Sequence, residues 1–298
     1  MGCGRVLVIN RDLLKFNGLR KLCLAVGSIQ TQPLILSGKM NKLIAFGWYG
    51  GKFSHLDWLF PLLPQTTHFC DVFGGSAAVL INRQPSPVET CNDLDSELVN
   101  FFRVLRNDRA ALIEQIGLTP FSREELALAS TRQPGLSDLE RARRFFVCAR
   151  QVRTGLAQRA SAGRWAHCLL TSRAGMAGAV SRWLGSVDDL AEIAQRLLRV
   201  QIENAPALEV LERYDSPETL FYCDPPYSHG SRGDSQADLH EMKDDQHRWL
   251  AEVDSGRAAS FEEAAWLAYM TSAQDEAASP VNCHHIWRKL CGLGPALD

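Results

Sequence analysis

The chain contains the stretch Leu220-Phe221-Tyr222-Cys223-Asp224-Pro225-Pro226-Tyr227, in which an apolar run ends directly in a polar turn. The apolar half predicts a buried strand, and in open α/β sheets ligands bind where such strands end. The two prolines fix φ and withhold two N–H donors, so the turn offers backbone carbonyls, the Asp224 carboxylate and the Tyr227 ring. Such a set can accept hydrogen bonds from an amine and stack on a flat heterocycle.

Two further short strands are predicted upstream, and each ends in residues suited to binding. His68-Phe69-Cys70-Asp71-Val72 leads into the turn Phe73-Gly74-Gly75-Ser76 and a helix, and Val88-Glu89-Thr90-Cys91 ends at Asn92-Asp93. Glycines let the backbone approach a ligand closely, and an acid about twenty residues further on can reach ribose hydroxyls. A purely structural tight turn is the alternative. The full Gly-x-Gly-x-x-Gly fingerprint is absent, which argues against a nicotinamide cofactor.

A third segment, Trp48-Tyr49-Gly50-Gly51-Lys52, combines two aromatic rings, a glycine pair and a lysine. An aromatic face attracts a sulfonium by cation–π interaction, and a lysine can pair with a carboxylate as a point charge. S-adenosylmethionine carries both of these groups. A plain hairpin turn with a packed Trp48 is the alternative interpretation.

The order of these segments, strand–helix–strand–helix, predicts an α/β fold with a parallel sheet. Leu98, Phe101, Phe102 and Leu105 have the spacing of one buried helix face. The middle of the chain looks helical, with a capping box at Ser122 and a second cap predicted at Ser186–Asp189. We expect five segments: a poorly ordered leader 1–39 (with Met40 as an alternative start), a catalytic domain formed by 40–108 and 198–253, a helical insert 109–197 and a tail 254–298.

The middle segment is rich in arginine. Nine arginines and no Asp, Glu or Lys occur from Arg141 to Arg182, with aromatic residues interleaved. This composition is typical of a surface that contacts phosphates. The alternative is that individual arginines pair with acids elsewhere in the fold. The candidates for DNA contact are Arg141, Arg144, Arg150, Arg153 and Arg164.

Overall composition narrows the class of protein. The net charge is −2, so a nucleic-acid partner has to be recognised by local charge. The nine cysteines are scattered without a Cys-x-x-Cys pair, which favours reduced thiols in the cytoplasm over disulfides or a zinc site. No apolar run approaches the roughly 18 residues of a membrane helix. We expect a cytoplasmic protein, monomeric, with no metal and no membrane contact.

Taken together and in this order, the motifs resemble those of the adenine-specific DNA methyltransferases, in particular the Dam-like and prophage-borne members. The resemblance covers roughly residues 40–253. It implies a seven-stranded, Rossmann-like methyltransferase sheet and a helical insert that recognises double-stranded DNA. It also implies transfer of a methyl group from S-adenosylmethionine to the N6 amine of adenine, in a restriction-modification, phage or regulatory role.

The resemblance assigns roles to particular residues. Asp224, Pro225, Pro226 and Tyr227 would form the catalytic loop, in which Asp224 and the Pro225 carbonyl accept from the adenine amine and Tyr227 stacks on the flipped base. The residues implied in cofactor binding are Trp48, Tyr49, Gly50, Lys52, Asp71, Phe73, Gly74, Gly75, Asp93 and Asp224.

The chain departs from this family at both ends. The leader precedes the usual start, and the family's further strands, with a Ser-Gly-Tyr-like segment, are not found after Val253. Terminal strands are therefore expected to be missing, which predicts that residues 220–223 form an exposed sheet edge. An inactive remnant that only binds DNA is the alternative function. Methyl transfer to a protein or RNA amine is a third.

Overall fold

The computed structural model describes residues 5–8, 42–48, 50–153, 157 and 160–225. Some of the predictions concern positions outside these ranges. They are Tyr49, Pro226, Tyr227, the leader apart from Arg5–Val8, the rest of the predicted catalytic domain up to residue 253, and the tail.

A parallel sheet forms the centre of the described residues. Its five strands are β1 (Arg5–Val8), β2 (His68–Asp71), β3 (Val88–Asn92), β6 (Gln201–Glu203) and β7 (Thr219–Cys223). They lie in the order β1-β7-β2-β3-β6, and every neighbouring pair is parallel. Every residue of β2 and β7 is buried, as expected for strands covered on both faces. The predicted α/β class with a parallel sheet is confirmed.

Eight helices accompany the sheet in the described ranges. They are α1 (Leu56–Leu59), α2 (Ala78–Asn82), α3 (Ser96–Asn107), α4 (Arg109–Leu118), α5 (Arg123–Ala129), α6 (Asp138–Gln151), α7 (Gly178–Leu197) and α8 (Ala207–Arg213). The predicted apolar face of α3 is buried at all four positions. The side chain of Ser122 accepts from the Glu125 N–H at 3.1 Å, which confirms the predicted cap of α5.

The predicted cap at Ser186–Asp189 is wrong, because α7 begins at Gly178 and runs through this segment. The hydroxyl of Ser186 donates to the Trp183 carbonyl inside the helix, at 2.7 Å. Just before α7, the chain forms an antiparallel hairpin of β4 (Ser172–Arg173) and β5 (Met176–Ala177), where only helix was expected. Positive φ angles at Ala174 and Gly175 suit the right-handed twist of a two-residue hairpin turn.

The expectation that residues 220–223 form a sheet edge is also wrong. Strand β7 lies between β2 on one side and β1 on the other. Arg5–Val8 pairs in parallel register with residues 220–223 of β7. Four residues of the predicted leader therefore lie in the sheet and shield the backbone groups of β7.

One apolar core joins the sheet to the helices. Phe69 and Tyr222 of the sheet belong to the same buried cluster as side chains of α3, α4, α6 and α7. Within the described ranges, residues 109–197 therefore share their core with the segments predicted to form the catalytic domain. A smaller cluster, which contains Phe221 and Val210, lies beneath α8. This arrangement fixes the three central strands and the points where they end.

Candidate active site

Three carboxylates meet at the carboxyl end of the sheet. Asp71 is the last residue of β2, Asp93 follows β3, and Asp224 follows β7. Because these strands are neighbours in the order β7-β2-β3 and run parallel, their ends lie side by side. The sheet thus brings together residues of three separate motifs, as their positions after strands predicted.

Lys52 ties the first motif to the last. Its ammonium lies 2.6 Å from both carboxylate oxygens of Asp224 and 2.8 Å from the Gly50 carbonyl. The Lys52 side chain is 1% exposed and that of Asp224 is 15% exposed. The pair spans 172 positions of sequence, and it was not predicted, because Lys52 was expected to meet a cofactor carboxylate.

The electrostatics of this end are dominated by buried acids. Burial raises the pKa of Asp71, the Asp224 and Asp93 carboxylates raise it further, and Lys52 opposes the shift. Burial also raises the pKa of Asp224, and the Lys52 ammonium opposes that shift. Oδ1 of Asp71 is fully buried and accepts no hydrogen bond from a described residue. Among these groups, three acids face one lysine, so acids outnumber bases at this end of the sheet.

The glycine-rich turn is held tightly against the end of β3. The Gly74 N–H donates to the Asn92 carbonyl at 2.7 Å, and the Gly75 N–H donates to Oδ2 of Asp93 at 2.8 Å. A Cβ at position 74 would lie 2.6 Å from Sγ of Cys91. Gly75 has φ +49°, and a Cβ there would lie 2.7 Å from the Trp48 ring. Both positions therefore require glycine.

Trp48 covers this turn. Its half-buried ring lies over Gly75 and 6.4 Å, between centroids, from Phe145 of α6. The Gly51 N–H donates to the Trp48 carbonyl at 3.0 Å, and Gly50 has φ +76°, as a tight turn with glycine at its third position requires. The loop is therefore a turn with a packed tryptophan, and the same turn presents Lys52 to Asp224.

Sequence reasoning missed the part played by the loop after β6. The amide of Asn92 donates to the carbonyls of Val72 and Ala205 and accepts from the Ala205 N–H. Asn204 donates to the Asp93 carbonyl at 2.9 Å. These bonds lock the glycine-rich turn, the end of β3 and the loop after β6 into one unit. An asparagine directly after a buried strand was the available signal, and only the neighbouring acid was singled out.

The arginines at the start of α6 are engaged in ion pairs. Arg141 lies 2.8 Å from Glu97 and 3.1 Å from Asp138. Arg144 lies 2.7 Å from Glu140 and is almost fully buried. Arg143 pairs with Glu125 and with the same Glu140. Arg141 therefore pairs with an acid elsewhere in the fold, the alternative to DNA contact, whereas Arg144 pairs with an acid one turn earlier in its own helix.

The remaining candidate arginines lie further along the chain. Arg150 is held by Ser186 and the Arg182 carbonyl, which links α6 to α7. Arg153 is exposed and bonds the Trp165 carbonyl and His167. Arg164 is exposed as well, and no described residue bonds its guanidinium. The exposed candidates are thus two of five.

Other predicted site residues have the following positions. Pro225 is buried directly after Asp224, and Phe73 is half-buried against the small cluster beneath α8. Within the described ranges, no group of acids, cysteines and histidines is placed to hold a metal. In the same ranges, no helix has the length and apolar character of a membrane span. The arrangement can accept hydrogen bonds at buried carboxylates and attract a cation.

Comparison with known proteins gives a family match over most of the chain. The model of the D12 class N6 adenine-specific DNA methyltransferases matches residues 48–289. This range begins at the tryptophan loop and continues past Val253, where the resemblance noted from the motifs was expected to end.

Two curated relatives match shorter segments. The DNA N-6-adenine-methyltransferase of Escherichia phage P1 is 29% identical over 125 residues, which are 40% of this chain and 16% of that protein. The Type II methyltransferase M1.LlaDCHI of Lactococcus lactis subsp. cremoris is 32% identical over 133 residues, 41% of this chain and 46% of that protein. The chain thus matches less than half the length of either relative.

Proposed function

The chain belongs to the D12 class N6 adenine-specific DNA methyltransferase family, and from this premise we propose that it methylates adenine in DNA. The donor is S-adenosylmethionine and the acceptor is the exocyclic N6 amine. The observation that carries the proposal is the buried pair of Lys52 and Asp224, because it joins the tryptophan loop to the Asp-Pro-Pro-Tyr turn. We also propose a cytoplasmic monomer that acts in a phage or restriction-modification setting.

The residues at the carboxyl end of the sheet fit this cofactor. S-adenosylmethionine carries a sulfonium and an ammonium against one carboxylate, so its net charge is positive and suits the excess of acids there. The buried Oδ1 of Asp71 has no described donor and can accept from an ammonium. Asp93 and the glycine-rich turn would hold the nucleoside, and Trp48 would border the site. When bound, the cofactor supplies a methyl group on a cationic sulfur.

Asp224 acts on the adenine amine by accepting hydrogen bonds. A free carboxylate has about four acceptor positions, so Lys52 leaves room for an N–H of the base. The lysine opposes protonation of Asp224 and fixes its orientation. An acceptor at the amine localises the nitrogen lone pair that otherwise spreads into the ring, and this preorganisation favours attack on the methyl group. The Pro225 carbonyl would accept a second hydrogen bond from the amine, and the Tyr227 ring would stack on the base.

The proposed DNA surface is the segment from Arg153 to Arg182. Arg153, Arg164, Arg173 and Arg182 are exposed, and none of them forms an ion pair with a described residue. Because no described acid pairs with these four guanidinium groups, they give the surface a positive charge. Such a surface attracts phosphates, and the affinity should fall steeply with salt.

The test is incubation of the purified full chain with DNA and methyl-labelled S-adenosylmethionine, followed by digestion and mass spectrometry of the nucleosides. Label in N6-methyladenine is the expected result. Folded protein that binds DNA but neither binds cofactor nor labels DNA would support the inactive remnant. Label in protein or RNA instead of DNA would support the third interpretation.

A further inference from the structure

A second cluster of buried charge lies at the amino end of the sheet. Glu89 is the second residue of β3, and its side chain is completely buried. Arg196 donates to both carboxylate oxygens of Glu89, from Nη1 to Oε2 at 2.6 Å and from Nη2 to Oε1 at 2.7 Å. Arg199 and Arg83 lie 3.4 and 3.6 Å from the same carboxylate. Because parallel strands rise about 3.3 Å per residue, Glu89 is about 13 Å from Asp93, at the opposite end of β3.

The charges in this cluster do not balance. Three guanidinium groups surround one carboxylate, which leaves two excess positive charges (3 − 1 = 2), and these arginines form no other ion pair with a described residue. Burial lowers the pKa of Arg83 to about 10, Arg196 lowers it as well, and Glu89 opposes the shift. Guanidinium groups remain protonated at neutral pH, so the excess charge is retained.

The cluster also contains unused donors. The Arg83 side chain is 3% exposed, yet its Nε and Nη2 make no hydrogen bond to a described residue, and the same holds for Nε of Arg196. Buried donors are normally bonded, so three unbonded ones beside excess positive charge indicate an acceptor that belongs there. Arg83 is held in place by the Ser86 hydroxyl and by stacking on Phe69, so these donors are preorganised.

We propose that this Glu89 cluster is an anion site that binds a phosphate group, distinct from the proposed active site. Planar guanidinium donors match tetrahedral oxyanions and bind them through several charge-assisted bonds. Arg199, whose side chain is 47% exposed, forms the rim, and its Nη2 is anchored on the Ser86 carbonyl. Arg199 is the most exposed arginine of the cluster, so a single anion would approach from its side. That group is free phosphate or one phosphate of a DNA backbone.

The first experiment is a titration of the full chain with inorganic phosphate while the melting temperature is followed. Ionic strength is held constant with sodium chloride, because screening alone changes stability. A saturable rise in melting temperature, confirmed by calorimetric binding, is the expected result. A rise that chloride reproduces, or one that does not saturate, would overturn the proposal.

Two arginine variants locate the site. Arg199→Ala should weaken phosphate binding about tenfold through the loss of one charge-assisted contact. Arg213→Ala is the matched control, because Arg213 is 45% exposed and pairs with Glu203 outside the cluster. Equal phosphate affinity in the two variants would contradict the assignment.

Glu89→Gln removes the negative charge of the cluster instead of a positive one, and so tests whether excess positive charge drives phosphate binding. Removing the acid raises the excess charge, so phosphate should stabilise this variant more than the wild type. A smaller stabilisation than in the wild type would count against the proposal.

A short DNA duplex then distinguishes the two sources of phosphate. Displacement of bound phosphate by the duplex identifies a backbone phosphate as the ligand, and simultaneous binding of both identifies the free anion. Neither readout depends on methyl transfer.

Discussion

The two ends of the parallel sheet carry opposite charge. At the carboxyl end, Asp71, Asp93 and Asp224 face Lys52, and at the amino end three arginines face Glu89. In each case one buried residue, Lys52 or Glu89, is outnumbered by groups of the opposite kind and is held by at least one partner more than a hundred positions away. The folded state depends on the outnumbered residue, Lys52 or Glu89, whereas the groups that outnumber it are available to a ligand. Substituting the outnumbered residue should therefore mainly lower stability, and substituting one of the surrounding groups should mainly change binding or activity.

The largest effect is expected from Glu89→Gln at the amino end. The change leaves Arg83, Arg196 and Arg199 without a counter-charge, and breaking a buried pair costs about 3–5 kcal/mol. Urea unfolding at pH 7 measures the loss of unfolding free energy. Glu209→Gln, in an exposed and longer pair with Arg213, should change it by less than about 0.5 kcal/mol. Similar losses in both variants would remove the distinction between the cluster and the surface.

The next largest effect is expected on activity, from Asp224→Asn at the carboxyl end. The amide keeps the shape but lacks the ionised acceptor, so methyl transfer should fall about 10²–10³-fold. The control is Glu218→Gln, because this exposed acid precedes the same strand at its other end and, among the described residues, its side chain bonds Thr67 alone. Initial rates at saturating DNA and cofactor measure both. Full activity of Asp224→Asn would disprove the role assigned to the carboxylate.

Gly75→Ala tests how tightly the carboxyl end is built. Both Gly75 and Gly135 have positive φ, but a Cβ at Gly75 would lie 2.7 Å from Trp48, whereas nothing lies within 4 Å of one at Gly135. Gly135→Ala should cost about 1 kcal/mol of backbone strain. Gly75→Ala should cost about 2–3 kcal/mol, through strain and overpacking, and weaken cofactor binding. Calorimetry measures the loss of cofactor binding, and thermal unfolding measures the loss of stability. Equal losses of stability in Gly75→Ala and Gly135→Ala would mean that the Trp48 ring moves aside at little cost.

The sequence predicted the three central strands β2, β3 and β7 and the ends at which they stop, but not the long-range pairing of their charges. The apolar run before Asp224 and the periodic face of α3 are local patterns, and local patterns determined β7, α3 and the position of the three acids. The pairs Lys52–Asp224 and Arg141–Glu97 join residues 172 and 44 positions apart, so no local pattern contains them. The arginine-rich segment is acid-free only between its own ends. Glu97 of α3 and Glu125 of α5 reach it in space. Asp138 and Glu140 pair with it from the first turn of α6, just before Arg141.

The same reasoning explains the missed strand β1. Residues 5–8 form a short strand without a clear alternation, and its pairing depends on the edge of β7, which is encoded more than two hundred residues later. Strand propensity is decided by such partners more than by the segment itself. Likewise, the hairpin of β4 and β5 has only two residues per strand, too few for any alternation to be detected.

Asp71→Asn should change the free energy of unfolding less than Glu89→Gln or Gly75→Ala does, and in the opposite direction. The substitution removes a buried carboxylate that is repelled by Asp93 and Asp224 and whose Oδ1 has no described partner, so it should stabilise the fold by about 1 kcal/mol at pH 7. Because the folded-state pKa of Asp71 is raised, wild-type stability increases as the pH falls through it, and the advantage of the variant should shrink. Urea unfolding at pH 7 and pH 5 tests this, with Asp57→Asn at an exposed pair as the control. A destabilised variant would mean that the Asp71 carboxylate is favourably compensated.

The smallest expected effect concerns His68, at the amino end of β2. Its ring bonds the hydroxyls of Thr219 and Thr90, and burial lowers its pKa. The unfolded state therefore binds the His68 proton more tightly than the folded state. The contribution of His68 to stability is complete above pH 6.5 and is lost as the pH falls below that value. His68→Gln keeps an amide that can bond the same hydroxyls, and it should flatten the decline in melting temperature between pH 6.5 and 5. His55, whose pKa burial and Lys52 also lower, is only half-buried at the other end, so His55→Gln should flatten the decline less. An equal flattening in both variants would show that the two ends respond to acid alike, whatever their charge.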